Sequence, residues 1–172
     1  MEARVQAPPL VPTQLTGGFC LDRPYAGVMR ELSASIDVPA PPATVWEVLT
    51  DVAAYPRWNT LLRVRGDLTE TGTVSARLSV PGLPTIPFRP RVLTVVPERE
   101  VRWRTTLFGQ AAEHAFLLEP TDDGTGTRFT QHERIDGPLA NPVVSRLERR
   151  MRRGFDQMNV GLRRRAIELA ES

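Results

Sequence analysis

From Arg30 to Val38 every second residue is apolar: Leu32, Ala34, Ile36 and Val38 alternate with Glu31, Ser33, Ser35 and Asp37. A period of two puts the apolar set on one face of an extended chain, so the segment reads as a half-buried strand. Pro39, Pro41 and Pro42 end it, because proline has no N–H for a ladder. Proline suits a first helical turn instead, and Val45, Leu49 and Val52 follow at helical spacing beside Trp46, which predicts a short helix. A second helical turn is expected over Asp51 to Tyr55, since Pro56 disfavours helix at the residue before it.

Past Trp58 the period returns to two. Strands are expected near 61–66, 73–80, 88–96, 100–107, 113–119 and 128–135, roughly seven with the first. Pro97-Glu98-Arg99 and Thr121-Asp122-Asp123-Gly124 read as hairpin connections, so successive strands pair antiparallel. Asn141 followed by Pro142 marks a helix start. Val144, Leu147, Met151, Phe155, Met158, Leu162 and Leu169 then lay one apolar stripe along a long C-terminal helix. That stripe needs a partner, and the concave face of the sheet is the large surface available. The expected fold is therefore α+β, a curved antiparallel sheet of about seven strands gripping the last helix, with two short helices after the first strand. Gly154 and Gly161 within that helix mark a bend or a close approach to a neighbour.

Residues 1–28 are rich in Pro and Gly and read as an irregular arm, which leaves 29–172 as one folded domain. A chain of 172 residues suits a single domain with a sizeable core, and 41% hydrophobic with 24% charged residues excludes wholesale disorder and fibrous classes. All 22 basic residues are arginine, yet the net charge is only +2. The lone Cys20 excludes an internal disulfide and any multi-thiolate metal site, and fits a reducing compartment. Met1-Glu2-Ala3-Arg4 does not begin a secretion signal, and no apolar run reaches the ~20 residues that span a bilayer. A cytoplasmic protein without stable membrane insertion is expected.

Local sequence carries a family resemblance. The stretch Ile36-Asp37-Val38-Pro39-Ala40-Pro41-Pro42-Ala43-Thr44-Val45-Trp46 and the later Tyr55-Pro56-Arg57-Trp58-Asn59 resemble motifs of bacterial polyketide cyclase and dehydrase proteins. Glu113-His114-Ala115-Phe116, Thr127-Arg128-Phe129-Thr130-Gln131 and Arg153-Gly154-Phe155 are similar to a branch of the same family. The resemblance runs from about Arg30 to Glu171 and covers the helix-grip fold of the START-like (SRPBCC) superfamily, which also includes birch-pollen-type allergens. It implies a cavity for lipids, polyketides or other hydrophobic molecules, with catalysis in some members and none in others.

Alternation places His114, Phe116 and Leu118 on one face, and Phe129, Gln131, Glu133 and Ile135 on one face of the next strand. Both sets are mostly apolar and are expected to look inward. His114, Gln131 and Glu133 are then polar groups on a greasy wall, where each must find a partner or change its ionisation. His114 and Glu133 are candidates to orient a ligand carbonyl or hydroxyl, or to act as an acid and base pair. The competing reading is that they only hydrogen-bond each other. Arg89 is a third candidate, able to pair with Glu133 or with an acidic ligand group, if Pro87 and Pro90 leave it inward-facing. Trp103, Phe116, Leu118, Phe129, Gln131, Met151, Phe155 and Met158 are candidate cavity residues, against ordinary core packing. Pro81-Gly82-Leu83-Pro84 is either a loop at the cavity mouth or a plain turn.

Arg146, Arg149, Arg150, Arg152, Arg153 and Arg163 to Arg165 form a basic helix face that reads as solvated, because Glu148, Asp156 and Glu168 interrupt it. A surface adaptor working through that face is the weakest function class. The sequence lacks a phosphate-cradling Gly-Lys motif, a Gly-x-Ser-x-Gly elbow, a dinucleotide fingerprint, and zinc or calcium ligand spacing. The expectation is a cofactor-free, metal-free protein, monomer or homodimer, with a hydrophobic small molecule as partner and no nucleic acid. Two classes stay open: a binding or carrier domain, and a cyclase, aromatase or dehydratase type of enzyme.

Overall fold

The computed structural model describes residues 29–172 except 108, 123 and 139, and of 141–144 only the backbone. The arm over 1–28, Cys20 and the side chain of Val144 lie outside the described residues.

Strand β1 (Arg30–Val38) has the predicted bounds, with Leu32 and Val38 buried in an otherwise open pattern. Helix α1 (Pro42–Thr50) follows, with Pro42 in its first turn and Val45, Val48 and Leu49 buried. The second helical region departs from expectation. A 3-10 turn covers Val52–Ala54 and α2 covers Tyr55–Trp58, so Pro56 sits inside the first turn of α2 rather than stopping a helix. Tyr55 adopts helical angles (φ −47°, ψ −40°) despite the proline that follows. Burial compensates, because its ring meets Trp58 edge-on at 4.8 Å and its hydroxyl donates to the Leu49 carbonyl at 2.7 Å. That burial, with the Asp51 carboxylate second, pushes the Tyr55 phenol well above its usual range.

Among the described residues the strands number eight, in two sheets. Strands β2 (Leu62–Arg65), β3 (Ser75–Leu78) and β4 (Ile86–Phe88) form a small sheet, while β5 (Arg91–Val96), β6 (Glu100–Leu107), β7 (Gln110–Pro120) and β8 (Thr127–Asp136) join β1 in the order β1-β8-β7-β6-β5. All pairings are antiparallel. The single strand expected over 88–96 is thus two strands in different sheets. Pro87 and Pro90 explain the break: Pro87 is tolerated on edge strand β4, and at Pro90 only the carbonyl is used, accepting from Val74 N at 3.2 Å.

Helix α3 (Ala140–Ala170) lies over β1 and packs against α1 and α2. Both of its glycines mark close approach. A Cβ on Gly154 would lie 2.6 Å from the Leu61 side chain, and one on Gly161 would overlap the Trp58 carbonyl. Asn59 turns the chain from α2 into β2, its buried Oδ1 accepting from Leu61 N and Leu62 N at 2.9 Å each.

Candidate functional site

The space between sheet and helix is solid at one end and hollow at the other. At the solid end Phe116 and Phe129 stack at 6.2 Å, with Leu118, Met158 and Leu162 packed beside them. Gln131 completes this floor. Its amide donates to Asn159 Oδ1 at 2.6 Å and to the Phe155 carbonyl at 3.2 Å, which ties β8 to α3.

The hollow end is a cavity of about 260 Å³. Period-two alternation supplies Trp103, Thr105 and Leu107 from β6, Gln110, Ala112 and His114 from β7, and Glu133 and Ile135 from β8. The inner face of the small sheet adds Leu62, Leu78, Ile86 and Phe88, while α3 closes it with Leu147, Met151 and Phe155. The wall is almost wholly hydrocarbon and aromatic.

His114 and Glu133 are directly opposed in the β7–β8 register, and Trp103 opposes His114 on the other side. His114 Nδ1 is hydrogen-bonded to Glu133 Oε2, with the side chains only 8% and 13% exposed. The ring is also held by Phe116 at 4.4 Å and Phe155 at 5.4 Å. In a neutral imidazole, an Nδ1–H bonded to a carboxylate leaves Nε2 as the acceptor. Nε2 is buried and has no partner among the described residues. A buried polar atom in that state needs a partner, and His114 lines the cavity in which one can be held.

Of the residues singled out from the sequence, the fold brings His114, Glu133, Trp103, Met151 and Phe155 together around the cavity. Phe116, Leu118, Phe129, Gln131 and Met158 are buried in the floor and do not line it. Arg89 is exposed on the outer side of the small sheet, away from Glu133, whose carboxylate is taken by His114. Sequence reading missed Gln110 and the Leu62, Leu78, Ile86 and Phe88 wall. Counting back in twos from His114 reaches Ala112 and Gln110, a signal that was present once the strand began earlier than 113.

The Pro81-Gly82-Leu83-Pro84 segment joins β3 to β4, and Arg150 of α3 donates to the Gly82 carbonyl at 2.9 Å. Elsewhere on α3, Arg152 pairs with Glu148 and Arg165 with Glu168, as a solvated face does. Among the described residues no group of three or more His, Cys, Asp or Glu is placed to hold a metal, and no helix is long and apolar enough to cross a membrane.

Residues 29–166 match the family model described as polyketide cyclase / dehydrase and lipid transport. No curated protein matches the chain. Among solved structures, a protein from Nitrosomonas europaea is 18% identical with a TM-score of 0.65, over 83% of this chain and 97% of that one. An aromatase/cyclase from Streptomyces sp. R1128 is 20% identical with a TM-score of 0.65, over 81% of this chain and 94% of its own. Norcoclaurine synthase of Thalictrum flavum is 14% identical with a TM-score of 0.64, over 84% and 98%. At these identities the likeness is one of fold.

Proposed function

Because the chain belongs to the polyketide cyclase / dehydrase and lipid transport family, we propose that it binds a small hydrophobic molecule bearing one hydroxyl or similar donor between its sheet and C-terminal helix. The observation that carries this reading is the buried, unpartnered Nε2 of His114, a residue that lines a largely apolar cavity whose other polar side chains are Thr105, Gln110 and Glu133. Apolar surface supplies the affinity and a few placed polar groups supply orientation, the usual division of labour in a ligand site. The volume of about 260 Å³ falls just under the ~300–1,000 Å³ of drug-sized sites, which favours a guest of one or two rings.

Titration with 1-naphthol and naphthalene tests it. Satisfying a buried acceptor contributes about 1–3 kcal/mol, so naphthol should bind at least five-fold tighter. In His114→Phe that preference should vanish while naphthalene still binds. Equal binding of the two probes to the unaltered protein would refute the role of Nε2.

A second reading, a cofactor-independent cyclase or dehydratase, is favoured by the same atom. In it His114 Nε2 takes a proton from a methylene between two carbonyls, and Glu133 stabilises the resulting imidazolium. The enolate carbon then adds to a second carbonyl of the same molecule, and the proton passes to the new alkoxide. Turnover of a poly-β-ketone thioester mimic that is lost in both His114→Gln and Glu133→Gln supports this; turnover unchanged in both removes it.

A further inference from the structure

The two sheets treat their outer faces differently. On the large sheet, basic and acidic residues alternate from β6 to β1, Arg104 opposing Glu113, Glu113 opposing Arg134, and Arg134 opposing Glu31, while at the β5 edge Arg91 opposes Arg104. Arg102 is further held between Glu100 and Glu113, and Arg128 lies on Asp37. The outer face of the small sheet carries Arg63, Arg65, Arg77 and Arg89 around an open groove floored by Val52, Pro56 and Pro87, and none of the residues lining that groove is acidic. Arg63 and Arg77 are directly opposed in the β2–β3 register, an arrangement of like charges that destabilises a sheet. Arg63 turns its guanidinium to the Asn59 and Leu62 carbonyls, while Arg65, Arg77 and Arg89 are exposed.

We infer that this arginine face docks on an anionic lipid surface. Charge complementarity requires a polyanion, and the geometry selects among polyanions. Three strands ~4.8 Å apart spread the guanidinia over a plane, which matches a plane of headgroups better than the single line of a nucleic-acid backbone. Phe88 is the single aromatic residue among those lining the groove, and it also lines the cavity on the other face of the sheet, so no series of rings is offered for successive bases to stack on. The choice of lipid also rests on the proposed cavity, because the small sheet bears the arginines on one face and the apolar wall of Leu62, Leu78 and Ile86 on the other. A hydrophobic guest held there is then one sheet's thickness from the phase in which it dissolves.

Co-sedimentation of the full chain tests this, with vesicles of neutral phosphatidylcholine alone or mixed two to one with anionic phosphatidylglycerol. Binding is expected only to the anionic vesicles and is expected to fall with salt. An arginine near such a surface adds roughly five-fold to partition, so Arg65→Ala with Arg77→Ala should reduce it about 25-fold. Arg65→Lys with Arg77→Lys should restore most of it. Arg149→Ala with Arg153→Ala on α3 should leave it within about two-fold of the unaltered protein. Equal binding to both vesicles, no binding to either, or an equal loss in the α3 pair overturns the proposal. So does a single-stranded oligonucleotide that displaces the vesicles at equal phosphate, which assigns the face to nucleic acid. Naphthol titration of the same variants separates the two sites. Vesicle binding without naphthol binding removes the cavity reading, and naphthol binding without vesicle binding removes this one.

Discussion

His114 illustrates how one side chain is made both structural and available. Its Nδ1 bond to Glu133 fills a need that any buried imidazole has, and the same bond leaves Nε2 unfilled. Glu133→Leu is therefore expected to destabilise the fold by about 1–3 kcal/mol, since it leaves Nδ1 buried without an acceptor, as read by urea denaturation. Gln131 and Asn159 make a second buried pair. Gln131→Leu alone strands the Asn159 amide, so it should cost more than the double change Gln131→Leu with Asn159→Leu, a non-additivity that a double-mutant cycle reads. Both pairs were partly legible. Alternation gave the inward facing of His114, Gln131 and Glu133, because a one-residue slip in either strand would expose Phe116 or Phe129. Asn159 was not legible, as a polar residue on a helix gives no sign of lying opposite a strand 28 positions away.

At the scale of elements, the helix stripe and the first strand were read correctly, while prolines were read twice with the wrong consequence. Pro56 lies in the first turn of α2, and Pro87 with Pro90 divides one expected strand between two sheets. In each case tertiary packing decides: buried Tyr55 and Trp58 hold a proline-containing turn, and an edge position accepts a residue without an N–H. The glycines of α3 show the same override of propensity. Ala at Gly161 gains about 1 kcal/mol of helix propensity but drives a methyl into the Trp58 carbonyl. Gly161→Ala should be net destabilising by about 1–3 kcal/mol, checked by thermal unfolding. The outcome at Gly154 should be milder, because the atom it meets is the far end of the Leu61 side chain rather than backbone.

For the molecule as a whole, sequence periodicity establishes that a helix covers a sheet but not how far apart they stand. The separation is set by side chains from distant segments, with Phe116, Phe129 and Met158 filling one half while Leu107, Ala112 and Leu147 fall short of one another in the other. That is why the sequence does not say which expected contacts reach the hollow: Trp103, Met151 and Phe155 line it, while Phe116, Leu118, Phe129, Gln131 and Met158 are buried in the floor. Filling the hollow half should separate binding from folding. Met151→Trp is expected to abolish naphthol binding, with unfolding midpoints unchanged or raised as the void is occupied.

The packed floor beside His114 also dictates which part of a guest is inspected. His114 and Phe155, whose rings meet edge-on at 5.4 Å, form one part of the cavity wall, and Leu107 and Gln110 at the β6–β7 turn form another. The groups flanking a guest's hydroxyl are judged against rigid aromatic rings, whereas a longer tail simply trails toward the turn. Phenols substituted next to the hydroxyl should thus be rejected, and those lengthened at the opposite carbon accepted, so that the protein reads its guest from one terminus only.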